Sequence, residues 1–261
     1  YTQFDTLSLH DALPISQDVE AIERATIAAV APRRALEFGG WLMALEPGAI
    51  RRAASAVPLR HDVPADPATL VAIERAFAEA GMRPAFRLAD APGLAEVRRA
   101  LEARGYGCEQ PTLVKVGSAD ALARFTSSPP ADLLERPDAG WAAVFTGEGF
   151  DPRDGADRVA ALSRSPEAAY GAVREGDVTL AVGAVAFGHG WASVHGMRTA
   201  RARRGEGLAG RVLTALGAAA QARGVERMFL QVEEANHGAR SLYRRAGFEA
   251  RWRYFYWSRP D

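Results

Sequence analysis

The sequence predicts an α+β fold built around a mixed β-sheet. Three strand patterns, at residues 168–173, 178–187 and 191–197, follow one another across glycine turns, and from there helices alternate with strands to the end of the chain. Neighbouring strands joined by tight turns pair antiparallel, whereas a strand that returns after a helix can pair in parallel. With 261 residues, the chain can form one large domain or two domains of ordinary size.

The sequence pattern in the first half of the chain predicts alternating helices and strands. Asp66 and Pro67 begin the clearest helix, because an acidic residue followed by proline is typical of a helix N-terminus, and Gly81 ends it. The predicted helices cover residues 17–30, 66–81 and 93–103, and the predicted strands cover residues 39–45, 84–88 and 112–116.

A polar, proline-rich step at residues 127–130 is the best linker candidate. It predicts two domains, at residues 17–125 and 128–261. Beyond it, the predicted helices cover residues 154–163, 208–223 and 238–246, and two further strands cover residues 227–232 and 250–257.

The N-terminal segment from Thr6 to Ile15 looks like the in-frame translation of a short-read sequencing adapter. We therefore expect residues 1–16 to be an assembly artefact or a disordered extension, and we give His10 and Asp11 no functional weight.

Overall composition excludes several classes of function. The 32 basic and 32 acidic residues cancel, so the whole chain offers no electrostatic case for binding nucleic acid or an anionic membrane. Cys108 is the one cysteine, which rules out an internal disulfide and a multi-cysteine zinc site. No apolar run reaches the length of a transmembrane helix. We therefore expect a cytoplasmic protein without a metal, acting as a monomer or a homodimer.

The segment Gly205-Glu206-Gly207-Leu208-Ala209-Gly210 matches the glycine fingerprint of dinucleotide-binding proteins. That fingerprint needs a strand that runs almost directly into the first glycine. Here the basic connector 198–204 separates the strand from the loop, and the loop comes late in the chain. The pattern therefore disfavours a nicotinamide dinucleotide.

A second pattern in the same loop, Arg204-x-x-Gly207-x-Ala209, resembles the phosphate-binding motif of the GNAT superfamily of N-acetyltransferases. Its glycines let consecutive N–H groups point into one concavity, and the following helix adds its positive dipole end. Residues 230–248 resemble a further GNAT pattern, V-E-x-x-N-x-x-A-x-x-L-Y-x-x-x-G-F, with Asn236, Tyr243 and Phe248 among its anchors.

The resemblance implies the GNAT acyl-CoA N-acyltransferase fold, in which the fourth and fifth strands, here 191–197 and 227–232, splay apart around the pantetheine arm of acetyl-CoA. Backbone at Met197 and Thr199 is implied to hold the amides of that arm, and residues 204–209 the pyrophosphate. The residues implied to bind acetyl-CoA are Met197, Arg198, Thr199, Arg204, Gly205, Glu206, Gly207, Leu208, Ala209, Asn236, Ser241 and Tyr243.

Tyr243 stands where the family places its general acid, which protonates the departing thiolate. Reference pKa values of about 10 for tyrosine and about 8.5 for a thiol make that transfer mildly uphill, so a lowered tyrosine pKa would help. The alternative is a packed aromatic residue. A base must also take a proton from the amine; Glu233 is the first candidate, and Glu234, His195, Glu148 or a water chain are others.

The N-terminal half contains a segment that partly repeats the second motif. Aligning Gly105 with Gly247 places Leu101 where Tyr243 stands and Leu94 where Asn236 stands. Residues 40–59 also resemble a segment of bacterial tandem GNAT proteins, although Ala54 replaces the usual asparagine. We therefore predict a degenerate GNAT-like half at 17–125 that shapes the acceptor pocket; the alternative is two independent domains on a linker.

These features predict direct transfer of an acetyl group from acetyl-CoA to a primary amine within a ternary complex. The acceptor would be a small-molecule or peptide amine. The alternative function is a non-catalytic acyl-CoA-binding or sensor module, which would keep the loop but need no acid.

Overall fold

The computed structural model describes residues 15–260, and residues 1–14 of the predicted adapter segment lie outside them. Within this range the helices are α1 (Ile15–Val30), α2 (Pro67–Glu79), α3 (Ala95–Glu102), α4 (Ala119–Ala123), α5 (Ala139–Thr146), α6 (Pro152–Ser163), α7 (Leu208–Ala222) and α8 (His237–Arg245). Short 3-10 turns cover Arg51–Ala54, Pro92–Leu94 and Arg201–Arg203.

The strands in the same range are β1 (Ala35–Phe38), β2 (Trp41–Ala44), β3 (Ala56–Pro58), β4 (Ala85–Ala89), β5 (Gly107–Ser118), β6 (Asp132–Leu134), β7 (Ala168–Glu175), β8 (Val178–Gly188), β9 (Trp191–Thr199), β10 (Arg227–Glu233) and β11 (Glu249–Ser258). They join in one mixed sheet with the order β1-β2-β3-β4-β11-β5-β10-β9-β8-β7-β6. The predicted α+β class with a mixed sheet is confirmed.

Local chemistry explains the elements that the sequence predicts correctly. The Asp66 carboxylate accepts the backbone N–H groups of Ala68 and Thr69 at 3.2 and 2.9 Å, and Pro67 occupies the first turn of α2. These contacts satisfy N–H groups that the helix itself leaves without partners. The buried side of α2 includes Phe77, which is fully enclosed.

Other elements differ from the prediction for identifiable reasons. Residues 35–44 form a hairpin rather than one strand, with Gly39 and Gly40 in its turn. Strand β5 is longer than predicted because it continues through Pro111, which interrupts a strand pattern. Helix α5 is apolar nearly all round, so it shows no helical period in the sequence.

Two helices cover opposite faces of the sheet at β8. Ala181 and Val185 pack in the same apolar cluster as α7, whereas Val182 and Ala184 pack with Trp141 of α5. The alternation follows from the two-residue period of a strand. Both faces of this part of the sheet are therefore buried, which makes β8 and β9 a firm support for the loops at their ends.

Strands from the two halves of the sequence interleave in the middle of the sheet. β5 lies between β10 and β11 and pairs antiparallel with both, from Ser118↔Arg227 to Thr112↔Glu233 on one side. β11 in turn pairs antiparallel with β4. Backbone hydrogen bonds thus join strands that lie on either side of the predicted linker at 127–130. The division into domains 17–125 and 128–261 stays a prediction.

The predicted splay between β9 and β10 is present. These parallel strands pair only from Ala192↔Met228 to Val194↔Leu230. Beyond that point β9 continues to Thr199 with a bulge opposite Gly183, and β10 continues to Glu233 beside β5. The separation leaves a wedge-shaped opening at the carboxyl ends of both strands.

A buried ion pair fastens α1 to the sheet. Arg87 of β4 and Glu23 of α1 are 1% and 2% exposed, and their charged groups approach to 2.5 Å between Nη2 and Oε2. No helix within residues 15–260 has the length and apolar character needed to cross a membrane.

Candidate functional site

A groove of about 970 Å³ opens between the end of β9, the start of α7 and helix α8. We call it the α7 groove. Of the residues implied to bind acetyl-CoA, those that line it are Met197, Arg198, Thr199, Arg204, Gly205, Gly207, Leu208, Ala209, Asn236 and Tyr243. Glu206 and Ser241 do not line it.

The loop before α7 has the backbone shape of an anion site. Gly205 and Gly207 have φ angles of +89° and +78°, a conformation that side chains other than glycine rarely adopt. Gly207 is the N-cap of α7 and has no side chain with which to occupy the free N–H groups of the first turn. Apart from Gly207 and the residues next to it in the chain, no described atom lies within 4 Å of the place where a Cβ of Gly207 would stand.

The arginines near this loop differ in what they can offer an anion. Arg203 is held at 2.7 Å by both Glu175 and Glu206, which neutralise it. Arg204 is exposed and makes no salt bridge within residues 15–260; its guanidinium lies 5.7 Å from the centre of the Phe150 ring. Arg204 is therefore free to reach a bound phosphate.

Asn236 sets the turn between β10 and α8. Its side-chain oxygen accepts the Ala239 N–H at 3.1 Å, which caps α8, and its own N–H donates to the Glu233 carbonyl at 3.0 Å. These two contacts hold the turn by which the chain leaves β10 and enters α8. Ser241, by contrast, accepts from Arg245 at 3.1 Å and does not line the α7 groove.

Tyr243 projects from α8 to the point where two cavities meet. Its side chain is 7% exposed, and within the described residues its hydroxyl has no hydrogen-bond partner. Burial raises the pKa of Tyr243 to about 12, the opposite of the lowering that would ease proton transfer to a thiolate. The phenol is therefore neutral at physiological pH and keeps its proton available.

The second cavity lies on the other side of the wedge and has a volume of about 410 Å³. We call it the β9–β10 cavity. Residues of both sequence halves line it, including Arg51, Arg52 and Gln110 from the first half. The residues that line both this cavity and the α7 groove are Met197, Arg198, Asn236, Ala239 and Tyr243.

Glu233 lines the β9–β10 cavity and is oriented by a residue that the sequence did not single out. Gln110 Nε2 donates to Glu233 Oε1 at 2.7 Å. The amide oxygen of Gln110 in turn accepts from Arg51 at 2.9 Å, and Arg51 also pairs with Glu109 at 2.8 Å. Gln110 has a φ of +54°, an unusual conformation for a residue with a side chain.

The other candidate bases are placed less favourably. Glu234 lies outside the cavity lining and approaches Arg253 at 3.5 Å, and Glu148 lines neither cavity. His195 lines the cavity, but its Nε2 lies 2.8 Å from Ser193 Oγ, and burial, with a further effect from Arg52, lowers its pKa to about 3. A histidine with so low a pKa is a weak base at neutral pH.

Comparison with known proteins agrees with this geometry. The sequence profile of the family described as "Probable histone acetyltransferase Rv0428c C-terminal" matches residues 16–257. No curated protein matches the chain.

Solved structures with the same fold cover nearly the whole chain. A GCN5-related N-acetyltransferase from Kribbella flavida is 22% identical, with 96% of this chain and 97% of that chain covered and a TM-score of 0.71. A tandem GNAT protein from the clavulanic acid biosynthesis pathway is 15% identical, covering 92% and 94%, with a TM-score of 0.60. A GCN5-related N-acetyltransferase from Sphaerobacter thermophilus is 16% identical, covering 95% of each, with a TM-score of 0.53.

The family match spans both halves of the sequence, from residue 16 to residue 257. The chain therefore belongs to the Rv0428c C-terminal family, within the GNAT superfamily of N-acetyltransferases.

Proposed function

We propose that this protein transfers an acetyl group from acetyl-CoA to a primary amine by direct attack within a ternary complex. The observation that carries the proposal is the meeting of two cavities at Tyr243: the α7 groove approaches it from one side and the β9–β10 cavity from the other. A thioester held in the groove and an amine held in the cavity would meet there without a covalent enzyme intermediate.

The α7 groove fits the chemistry of a CoA pyrophosphate. The free N–H groups at the start of α7, the left-handed glycines and the Arg204 guanidinium, which makes no salt bridge within residues 15–260, offer donors and positive charge to an anion. Past Val194, β9 has no hydrogen bonds to β10, so the backbone of Met197 and Thr199 can bind the amides of an extended arm.

In the proposed reaction, acetyl-CoA supplies an activated acyl group. Glu233 takes a proton from the acceptor ammonium, the neutral amine forms a new N–C bond as the C–S bond breaks, and the nitrogen then releases its second proton to solvent to give the amide. The Tyr243 hydroxyl donates a hydrogen bond to the departing thiolate. Complete transfer from a phenol of pKa about 12 to a thiolate of pKa about 8.5 costs about 5 kcal/mol. The hydrogen bond therefore provides the stabilisation, and a solvent proton completes the step.

We also propose that the two halves are copies of one unit, the first degenerate. β4, α3 and β5 follow one another as β10, α8 and β11 do, and each final strand lies beside the other copy's first strand. Leu94 and Leu101, which align with Asn236 and Tyr243, are fully buried in an apolar cluster. The first copy thus has apolar side chains where the second has Asn236 and Tyr243.

Two measurements on the full chain test the function. Isothermal titration calorimetry with acetyl-CoA should show one site per chain, and thiol release should rise on addition of a suitable amine from a library. Absence of acetyl-CoA binding would contradict the proposal entirely. Binding without thiol release for any amine would instead identify the protein as an acyl-CoA sensor.

A further inference from the structure

The β9–β10 cavity is strongly basic in a chain whose overall charge is zero. Among the described residues, four arginines and a single carboxylate line it: Arg51, Arg52, Arg158, Arg198 and Glu233. Like charges gathered around one concave surface raise the local potential, so this excess of positive charge attracts an anion to the cavity. A bound ligand with negative charge would offset this excess of positive charge.

The surrounding carboxylates do not balance the arginines. Arg158 Nε and Arg198 Nη2 share one oxygen of Asp154, at 2.8 and 3.2 Å, so a single carboxylate serves two guanidinium groups. Arg198 Nη1 is buried and, within residues 15–260, has no hydrogen-bond partner. Arg51 is better satisfied, since it pairs with Glu109 at 2.8 Å.

Arg52 lacks a carboxylate partner among the described residues. Its one hydrogen bond in that range is from Nη1 to Gln231 Oε1 at 3.3 Å, and its Nε is buried without a partner. A partly buried guanidinium with unused donors costs free energy unless a ligand satisfies it. Donors of this kind suit a carboxylate, which can accept two parallel N–H bonds from one arginine.

A hydrogen-bond network around Gln231 fixes the position of the Arg52 guanidinium. Gln231 Oε1 also accepts from the Tyr254 hydroxyl at 3.0 Å, and Gln231 Nε2 donates to Thr26 Oγ1 at 3.0 Å. These contacts determine which way the Gln231 amide points and hold its oxygen towards Arg52. Such a positioned cation is a built part of the cavity wall.

We propose that the acceptor is an amine that also carries a carboxylate, and that Arg52 binds this carboxylate in the β9–β10 cavity. The inference rests on the proposed acetyl transfer and names its substrate class. A cavity of about 410 Å³ matches a small amino acid-like molecule. A lysine-rich peptide would bring further positive charge to four arginines and is disfavoured by the same electrostatics.

Thiol release from acetyl-CoA tests the proposal with acceptors in matched sets: amino acids of several lengths, each beside its amide and its decarboxylated amine. We expect the carboxylate member to have a kcat/KM at least tenfold higher than its partners. Arg52→Gln should raise KM for the carboxylate acceptor at least tenfold and abolish the preference, with KM for acetyl-CoA unchanged. Equal rates with the amides, or faster rates with a lysine-rich peptide, would overturn it.

Arg75→Gln is the control, because Arg75 is exposed and its partner Glu79 lies on the same helix, away from both cavities. Thermal unfolding of both variants checks that they fold. A second measurement does not depend on turnover: calorimetry with N-acetyl amino acids and with their amides. The wild type should bind the acids alone and Arg52→Gln neither; no binding of the acids by the wild type also overturns the inference. Failure of acetyl-CoA to bind would count against the proposed function instead.

Discussion

Gln110 and Glu233 are joined by a 2.7 Å hydrogen bond between the amide nitrogen and a carboxylate oxygen. The two residues are far apart in sequence and meet because β5 pairs with β10 up to Thr112↔Glu233. The contact leaves the second carboxylate oxygen of Glu233 available at the edge of the β9–β10 cavity. The proposed chemistry depends on contacts of this kind, because they orient the side chains of the site.

Glu233→Gln should lower kcat/KM for the amine by about 100-fold near pH 7, because the amide cannot take the proton of an ammonium group. The defect should shrink as the pH rises towards the amine pKa, since the acceptor then arrives already neutral. A pH profile of thiol release measures this. Glu234→Gln is the control, and a defect of constant size across the pH range would rule out Glu233 as the base.

Gly207→Glu should abolish acetyl-CoA binding in calorimetry. The substitution puts a carboxylate at the N-terminus of α7, where the N–H groups would face the pyrophosphate, and strains a backbone with a φ of +78°. Gly105→Glu is a matched control, because Gly105 has a φ of +81° and open space but lies far from the groove. Equal loss of binding in both variants would point to strain rather than to the site.

Tyr243→Phe should bind acetyl-CoA as the wild type does and turn over at least tenfold more slowly, because the leaving thiolate loses its hydrogen bond. Because the pKa of Tyr243 is about 12, its ionisation should cause no loss of wild-type activity below pH 10. Tyr170→Phe serves as the control: that hydroxyl is buried and donates to the Leu162 carbonyl, away from both cavities. Unchanged kcat in Tyr243→Phe would remove the acid from the mechanism.

His195 should make the protein less stable at mildly acidic pH. Its pKa is lowered from 6.5 in the unfolded chain to about 3, so below pH 6.5 the unfolded state takes up a proton that the native state refuses. The contribution of His195 to the free energy of unfolding is fully present above pH 6.5 and falls as the pH drops towards 3. The loss reaches about 2 kcal/mol by pH 5. Urea unfolding at pH 7.5 and 5 should show a smaller loss for His195→Gln; the same loss in both proteins would contradict the assignment.

Glu23→Gln should reduce the free energy of unfolding by about 3–5 kcal/mol, because it leaves the buried guanidinium of Arg87 without an opposing charge. The double variant Glu23→Leu with Arg87→Met should cost less than the single change, since no buried charge remains. Glu20→Gln is the control on the exposed side of α1, where the Arg24 pair is worth little. A double variant as unstable as the single one would disprove the electrostatic explanation.

Local patterns were sufficient to predict the glycine turn before α7 and the helix that carries Tyr243. The left-handed glycines, the helix that starts at Leu208 and the cap at Asn236 depend on neighbours within a few residues, so their spacing is visible in the sequence. Glu206 and Ser241 show the limit of that reasoning. Both belong to motifs, yet neither lines the α7 groove, although Arg203 and Arg245, which bind their side chains, do line it.

The sequence by itself determined the α+β class, most of the long helices and strands, and the glycine turn before the helix that starts at Leu208, because periodicity and turn residues encode local backbone geometry. Only the tertiary structure decided that β5 enters the sheet between β10 and β11, and so brings Gln110 to Glu233. It also decided that Arg52 faces Gln231 across the two halves of the chain. Such contacts depend on long-range strand pairing, for which no local pattern in a single sequence carries a signal.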